Sequence, residues 1–278
     1  MQTIENFTQF GYTVSLAFPE KKTAVDYIKF SDRCESTVGR SNLLHQLNAF
    51  EENGWKLLQV FEDEQANSTA IVESRILHAL GITPRTIYAR QCTIHTDLPV
   101  SVSRDFLNAH HIQGVGRGAN IYIGLCFKGE LVAVMSVGRS RFNKNIDFEL
   151  IRFATKSMTS VIGGASRLLK HVRMALGEAS IISYADRRYS TGNLYRSLGF
   201  YEHTKSEPCY WYLHPRDPLK KYHRSSFQKH KLIDKIQVFD PALTEIANMK
   251  RNGWERIYDS GNYVFILDPK SQDNTESK

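Results

Sequence analysis

The first 95 residues alternate between short apolar runs and amphipathic stretches. Leu43, Leu47 and Phe50 fall on one face at helical spacing, with Ser41 as a favourable N-cap and Gly54 as a favourable helix stop. Residues 24–30 alternate apolar and polar side chains, which is typical of a half-buried strand. The pattern predicts a small α/β unit with strands at 24–30, 55–61 and 86–95 and helices at 41–53 and 68–80.

Residues 103–213 carry a second run of alternating elements. Strands are predicted at 120–127, 130–138, 148–155, 180–184 and 209–213, and helices at 103–111, 165–176 and 191–198. Lys128-Gly129 joins the first two strands as a hairpin turn. Strands interrupted by single helices predict a mixed sheet with helices on its faces, so the fold class is α/β (α+β), a small α/β unit followed by a mixed sheet with flanking helices.

The last part of the chain predicts one helix and a hairpin. Asp240 and Pro241 suit the start of a helix that Gly253 ends, and 254–258 and 263–267 are predicted to pair as a hairpin. The polar tail at 269–278 is predicted to be disordered. These patterns divide the chain into domains at 1–98, 99–213 and 214–268, followed by the tail.

Composition places the chain among globular proteins. Hydrophobic residues make up 41% of the 278 residues, which is enough for a core, and no apolar run reaches the roughly 18 residues that cross a bilayer. We therefore expect a soluble, cytoplasmic protein without a membrane partner. The four widely spaced cysteines are interpreted as reduced thiols, mostly in the core: Cys34, Cys92, Cys126 and Cys209.

Charge is distributed unevenly along the chain. Residues 1–100 carry 9 basic and 12 acidic side chains, whereas residues 101–278 carry 27 basic and 17 acidic ones. Excess cations attract polyanions such as DNA. The basic connector at 214–231 interleaves cations with aromatic residues, and either a solvated surface or a DNA-binding segment fits that pattern. The candidate DNA-binding residues are Arg216, Lys220, Lys221, Arg224, Lys229 and Lys231.

A glycine pair opens the predicted helix at 165–176. Gly163, Gly164 and Ala165 allow close approach of a ligand to free amides at the helix start, which predicts an anion site, although a plain tight turn has the same sequence. Farther on, Tyr195 lies in an Asn-Leu-Tyr-Arg-Ser-Leu-Gly-Phe segment. Arg141, Glu149 and Arg152 alternate near one sheet edge, as a buried ionic cluster or as a solvated strand face.

The segment at 105–213 resembles the GNAT acetyltransferases. Their Gln/Arg-x-x-Gly-x-Gly/Ala loop cradles the pyrophosphate of acetyl-CoA, and the tyrosine of their Asn…Tyr-x-x-x-Gly-Phe segment often acts as general acid. The resemblance implies that Gly163, Gly164 and Ala165 hold acetyl-CoA or a related acyl-CoA and that Tyr195 donates a proton. Ser160 stands where the family has a cationic or amide residue. The same segment resembles phage DNA-modification proteins that act on adenine, which adds Asp186 as a catalytic candidate.

The segment at 16–95 resembles the nuclease domain of phage mobile (homing) endonucleases related to very-short-patch repair endonucleases. The residues that carry this resemblance are Glu52-Asn-Gly-Trp through Phe61-Glu-Asp-Glu and Ile87-Tyr-Ala-Arg-Gln-Cys. It implies a Mg²⁺ site on adjacent strands, with Asp26 as catalytic residue and metal ligand. The histidine expected after that strand is absent, and Ser31-Asp-Arg-Cys-Glu stands in its place.

Three functions follow from these patterns. The leading one is a phage-type DNA-binding endonuclease, acting in the infected host cytoplasm, that cleaves DNA with Mg²⁺ through Asp26 and a second acid. The second is an acyl-CoA-dependent transferase that modifies an amine or a DNA base. The third is a non-catalytic DNA-binding module. A Mg²⁺-dependent nicking activity would separate the first from the others, and acyl-CoA binding would identify the second.

Overall fold

The computed structural model describes residues 1–214 and 216–269. Its strands are β1 (Ile4–Gln9), β2 (Tyr12–Phe18), β3 (Thr23–Ile28), β4 (Lys56–Phe61), β5 (Arg85–Tyr88), β6 (Thr93–His95), β7 (Ala119–Phe127), β8 (Glu130–Arg139), β9 (Phe148–Thr155), β10 (Thr159–Ile162), β11 (Ile181–Asp186), β12 (Tyr201–Lys205), β13 (Tyr210–His214), β14 (Asp217–His223), β15 (Glu255–Tyr258) and β16 (Asn262–Leu267). Its α-helices are α1 (Phe30–Arg33), α2 (Glu35–Val38), α3 (Asn42–Glu52), α4 (Glu62–Asn67), α5 (Thr69–Ala79), α6 (Val100–His110), α7 (Gly164–Leu176), α8 (Asn193–Ser197) and α9 (Glu245–Arg251).

The chain forms two compact units, each built from two separate stretches of sequence. Among the described residues, unit 1 contains 1–68 and 207–261, and unit 2 contains 69–206 and 262–269. This division differs from the predicted boundaries at 98 and 213. The reason is that the segment at 207–261 is inserted between two strands of unit 2, so sequence order does not follow the cores. The part of the predicted tail from Lys270 onward lies outside the described residues.

Unit 1 contains two sheets. One has the order β1-β2-β3-β4, with only β3 and β4 parallel, and α3 connects those two strands. The other has the order β14-β13-β15. One cluster joins the two stretches of unit 1, because Leu213 and Ile257 of the later stretch pack with Ile28, Leu43 and Phe61 of the earlier one. Burial of these side chains holds the inserted segment to the first 68 residues.

Unit 2 is built on a seven-stranded mixed sheet. The strand order is β12-β16-β11-β9-β8-β7-β6, and within it β9 and β11 run parallel. Val134 packs in the cluster of α6, whereas Ala133 and Met135 pack in the cluster of α7. Because neighbouring residues of a strand point to opposite faces, α6 and α7 cover opposite faces of the sheet. The predicted fold class, an α/β mixed sheet with flanking helices, is confirmed.

Two predictions for the last part of the chain are wrong, the final hairpin and the start of the last helix. The final hairpin does not form, because β15 pairs with β13 in unit 1 while β16 pairs with β11 and β12 in unit 2. The last helix begins at Glu245, where the Thr244 hydroxyl accepts the N–H of Ala247. Asp240 instead accepts the N–H of Ala242 in a local turn, which uses the same side-chain chemistry as a helix cap. No helix among the described residues is both long enough and apolar enough to span a bilayer.

Candidate functional site

A cleft lies at the N-terminus of α7 in unit 2. β10 pairs in parallel with β5, and this register brings Ala89 and Arg90 beside Gly163. Gly163 adopts φ 76°, a left-handed conformation that favours glycine, and caps the helix without a side chain. The first intrahelical bond runs from the N–H of Arg167 to Gly163, so the amides before Arg167 have no acceptor within the helix. The predicted loop therefore presents free amides, as an anion site requires.

Three cations surround this cleft of about 580 Å³. Arg90, Arg167 and Lys170 are among the described residues that line it, and no carboxylate is among them. Arg167 donates to the carbonyls of Ala89 and Cys92, which fixes its side chain across the mouth of the loop. Ser160 carries no charge at the position where the resemblance implies a cationic or amide residue. Arg90, Arg167 and Lys170 supply positive charge at the cleft instead.

A gap opens in the sheet between β9 and β11. The two strands pair only at Phe148–Ile181 and Glu149–Ile182, although both continue for several more residues. One residue farther along, the hydroxyl of Ser183 bonds the Leu150 carbonyl at 2.9 Å, so a side chain replaces the backbone ladder. Beyond that bond no backbone pairing joins the two strands. Parallel strands that diverge in this way leave space for a ligand at their carboxyl ends.

The hydroxyl of Tyr195 lies at the vertex of this gap. It is 3.0 Å from the Ser183 hydroxyl. Because a carbonyl only accepts and serine has one hydrogen, Ser183 donates to Leu150 and Tyr195 donates to Ser183. The Tyr195 ring stacks on Phe265, with centroids 4.9 Å apart. Burial raises the pKa of Tyr195 above its usual value of 10, which keeps the phenol protonated at neutral pH.

A loop after α6 reaches both strands of the gap. Its Gly114 carbonyl accepts Nε of Arg152 on β9 at 3.1 Å, and its Gln113 side chain donates to Asp186 on β11 at 3.2 Å. Asp186 also forms a 2.8 Å ion pair with Arg188. The predicted catalytic candidates Tyr195 and Asp186 thus lie on the same unit as the α7 cleft, and Asp186 is engaged by two partners.

The predicted ionic cluster forms in part. Arg141 pairs with Glu149 through two hydrogen bonds, at 3.1 and 2.8 Å. Arg152 does not join this pair. It bonds backbone carbonyls instead, of Gly114 and of its own neighbour Ile151.

Asp26 belongs to a buried polar network of unit 1. It accepts hydrogen bonds from Ser15 at 3.2 Å and Gln46 at 2.8 Å, and Arg33 lies at 3.4 Å. The network continues from Gln46 through Gln59 to Ser260, so it ties the two stretches of unit 1 together. In the described part of the chain, no group of three or more histidine, cysteine, aspartate or glutamate side chains could hold a metal ion. The predicted Mg²⁺ site therefore has no ligand set there.

The burial of Asp26 predicts that the free energy of unfolding depends on pH. Burial raises the pKa of Asp26 above 3.8, despite the hydrogen bond from Gln46 and the charge of Arg33. The folded state then binds the proton more tightly than the unfolded state, so stability is lost as pH rises from 3.8 through the raised pKa. We expect Asp26→Asn to abolish that loss.

Urea unfolding between pH 4 and 7 measures this loss of stability. The substitution Asp32→Asn at an exposed position is a control that should follow the wild type. A wild-type stability that stays parallel to that of Asp26→Asn over this range would contradict the expected effect.

The six cations predicted to bind DNA lie in unit 1 and have different surroundings. Lys221 is ion-paired with Asp63 at 3.1 Å and Glu64 at 3.4 Å, and its side chain is 14% exposed. Lys229 bonds the carbonyl of Pro241, and Lys231 bonds that of Ser225. Lys220 lies 3.7 Å from Asp217, while Arg216 and Arg224 are exposed. DNA as a partner stays a prediction.

Comparison with known proteins gives structural matches only. No protein-family model matches the chain, and no curated protein matches it. A histone acetyltransferase HPA2-related acetyltransferase from Corynebacterium glutamicum matches at 14% identity and TM-score 0.37, over 64% of this chain and 97% of that one. The ribosomal-protein-S18-alanine N-acetyltransferase of Escherichia coli matches at 14% identity and TM-score 0.35, over 64% and 93%. A Bacillus subtilis acetyltransferase solved with CoA matches at 15% identity and TM-score 0.35, over 64% and 98%.

These matches agree with the GNAT part of the resemblance, whereas nothing in the comparisons supports its nuclease or phage part. At such TM-scores the matches assign no activity.

The endonuclease function is wrong. Asp26, its proposed metal ligand, is held instead by serine, glutamine and arginine side chains. The segment at 87–92, which carried part of the nuclease resemblance, belongs to unit 2, where it lines the α7 cleft. Its Arg90 contributes charge beside the glycine loop.

Sequence reasoning missed the three cleft cations. Arg167 and Lys170 are three residues apart on α7, so they share a helix face. Their spacing after Gly163 could have been used to predict that both cations lie near the glycine loop. Arg90 gave no signal, because its position depends on the pairing of β5 with β10, which are about 70 residues apart.

Proposed function

We propose that this chain transfers an acyl group from an acyl-CoA thioester to an amine. The observation that carries this proposal is the combination, in unit 2, of an anion cleft at the start of α7 and a strand gap with the Tyr195 hydroxyl at its vertex. The first feature suits a pyrophosphate and the second suits a reaction that needs a proton donor.

The residues of the cleft fit the anionic part of an acyl-CoA. The amides of Gly164 and Ala165 and the cations Arg90, Arg167 and Lys170 would hold its phosphates. Gly163 has only one atom near the position of an added Cβ, the Ala89 methyl at 3.8 Å, so its backbone is accessible from the cleft. When bound, an acyl-CoA supplies a thioester, whose carbonyl carbon is open to attack by an amine.

Tyr195 is the residue assigned to proton delivery. Transfer to an amine forms a C–N bond and breaks a C–S bond, so one proton leaves nitrogen and one reaches sulfur. The raised pKa of Tyr195 keeps its proton available, and rotation about the C–O bond redirects that proton from Ser183 into the gap. Stacking on Phe265 and the edge contact with Phe200 hold the ring in place while the hydroxyl turns.

Calorimetry with CoA tests the cleft. The double substitution Arg90→Gln and Lys170→Gln removes two exposed cations, and we expect the Kd for CoA to rise roughly five- to thirtyfold. Arg139→Gln with Lys144→Gln is a matched control, since Arg139 lies over the Phe148 ring as Arg90 lies over Tyr88. The control should leave the Kd unchanged.

Two results would count against the proposal. One is an absence of CoA binding by the wild type at millimolar ligand. The other is an equal loss of affinity in the double variant and in its control.

A further inference from the structure

Arg152 is a cation of the strand gap that lacks a carboxylate partner in the described part of the chain. It lies on β9, three residues beyond the last backbone pair with β11. Its Nε donates to the Gly114 carbonyl at 3.1 Å and its Nη1 to the Ile151 carbonyl at 2.8 Å. Within the described residues no carboxylate oxygen lies within 4.0 Å of this guanidinium, and its Nη2 makes no hydrogen bond to them.

Two carboxylates, Glu149 and Asp186, interact electrostatically with Arg152, and each already has another arginine as its ion-pair partner. Glu149 is bound by two nitrogens of Arg141, Nε and Nη2, and Asp186 is bound by Arg188. Neither carboxylate therefore forms an ion pair with Arg152, although both attract its charge. Burial and the nearby charge of Arg141 lower the pKa of Arg152, although an arginine stays protonated.

The loop at 111–114 fixes the position of this charge. It contacts β9 through the Arg152–Gly114 bond and β11 through the Gln113–Asp186 bond, so it crosses the opening between the two strands. A guanidinium held by two carbonyls has lost most of its freedom before any ligand binds. Its remaining nitrogen can then bond an anion without a large further loss of side-chain entropy.

His111 supplies a second donor on the same loop. Its Nδ1 accepts the N–H of Gln113 at 3.1 Å. Burial and the charge of Arg152 lower the pKa of His111 well below 6.5, so the ring is neutral at pH 7 and carries its hydrogen on Nε2. That Nε2 donates to no described residue. The gap thus carries a fixed cation and a neutral N–H donor, both suited to an anion.

We infer that Arg152 selects amine acceptors that also carry an anionic group, a phosphate or a carboxylate. This inference rests on the proposed acyl transfer and names the class of its acceptor. An anion at Nη2 would pair with a guanidinium that has no carboxylate partner among the described residues, while a cationic or neutral amine would leave that charge uncompensated.

Binding to the CoA-saturated protein tests the inference without requiring turnover. Saturation with CoA occupies the α7 cleft, so phosphate binding there does not contribute. Three matched pairs are titrated by calorimetry: phosphoethanolamine against ethanolamine, AMP against adenosine, and glycine against glycinamide. The first two pairs report a phosphate and the third reports a carboxylate. We expect the anionic member of at least one pair to bind roughly tenfold or more tightly.

Substitutions assign that preference to Arg152. Arg152→Gln should reduce it to about twofold or less, and Arg152→Lys, which keeps the charge but loses the fork, should retain part of it. Arg117→Gln removes an equal charge from an exposed position and should keep the full preference. Circular dichroism confirms that each variant is folded, and the lysine variant remains informative if the glutamine variant is not.

The outcomes separate this inference from the proposed function. Three results would overturn the inference: equal binding within every pair, a preference that survives Arg152→Gln, or no binding of any anionic amine at about 10 mM. In each case, binding of CoA would still support acyl transfer. Failure of CoA to bind would instead overturn the proposed function. With an active acceptor, Arg152→Gln should raise KM for the anionic amine more than it lowers kcat.

Discussion

Replacement of Tyr195 by phenylalanine is expected to lower kcat for acyl transfer roughly 10²- to 10³-fold, because general acid catalysis contributes gains of that order. Phenylalanine keeps the ring that stacks on Phe265 and meets Phe200 at an edge, so unit 2 should remain folded. It removes only the hydroxyl at the vertex of the strand gap. The Kd for CoA should change little, since the cleft at α7 is untouched.

Thioester consumption measured against pH gives the clearest readout. The protonated form of Tyr195 exists below its raised pKa, so wild-type activity should fall at alkaline pH as that proton is lost, and the variant should lack this limb. Tyr122→Phe is the matched control, because among the described residues the hydroxyl that it removes bonds only the Ala119 carbonyl, at 3.4 Å. A Tyr195→Phe enzyme with the wild-type rate would exclude the tyrosine as proton donor.

Replacement of Gly138 by alanine is expected to destabilise unit 2 by about 3 kcal/mol or more. An added Cβ would lie 2.0 Å from the carbonyl oxygen of Gly118 and 3.1 Å from Cδ1 of Ile151. The nearer neighbour is backbone, which cannot rotate away as a side chain can. The strand or the opposing segment must therefore shift, and the pairing of β7 with β8 must break at Ala119 and Gly138.

Urea unfolding compares this variant with Ser136→Ala on the same strand. Ser136 is fully buried and its hydroxyl has no hydrogen-bond partner among the described residues. Its removal should leave stability unchanged or raise it slightly, because an unsatisfied buried hydroxyl is unfavourable. Stability of Gly138→Ala within about 0.5 kcal/mol of the wild type would show that the two backbones can separate at little cost.

Many elements could be predicted because their signals are local. The strand at 148–155 has the predicted bounds, and the helix predicted at 165–176 begins one residue earlier, at Gly164. The apolar faces of these elements are set by periods of two and 3.6 residues, which a sequence shows directly. Lys128 and Gly129 both adopt positive φ, as a tight hairpin turn requires.

Pairing between distant segments could not be predicted in the same way. Residues 255–258 and 262–267 have strand composition and a short connection, yet they join different sheets. β16 finds its partners β11 and β12 across the inserted segment at 207–261, and no local pattern marks that choice. The same holds for Arg90, which reaches the α7 cleft only because β5 lies beside β10.

Alone, the sequence determined the α/β class, the glycine loop before α7 and the candidate tyrosine, because each depends on residues close together in the chain. Only the tertiary structure decided that residues 69–95 belong to unit 2, that three cations surround the loop, and that Arg152 has no carboxylate partner among the described residues. Those properties depend on which strands become neighbours and on which charges are left unpaired afterwards. Both are set by the burial of apolar surface over the whole chain, not by any single segment.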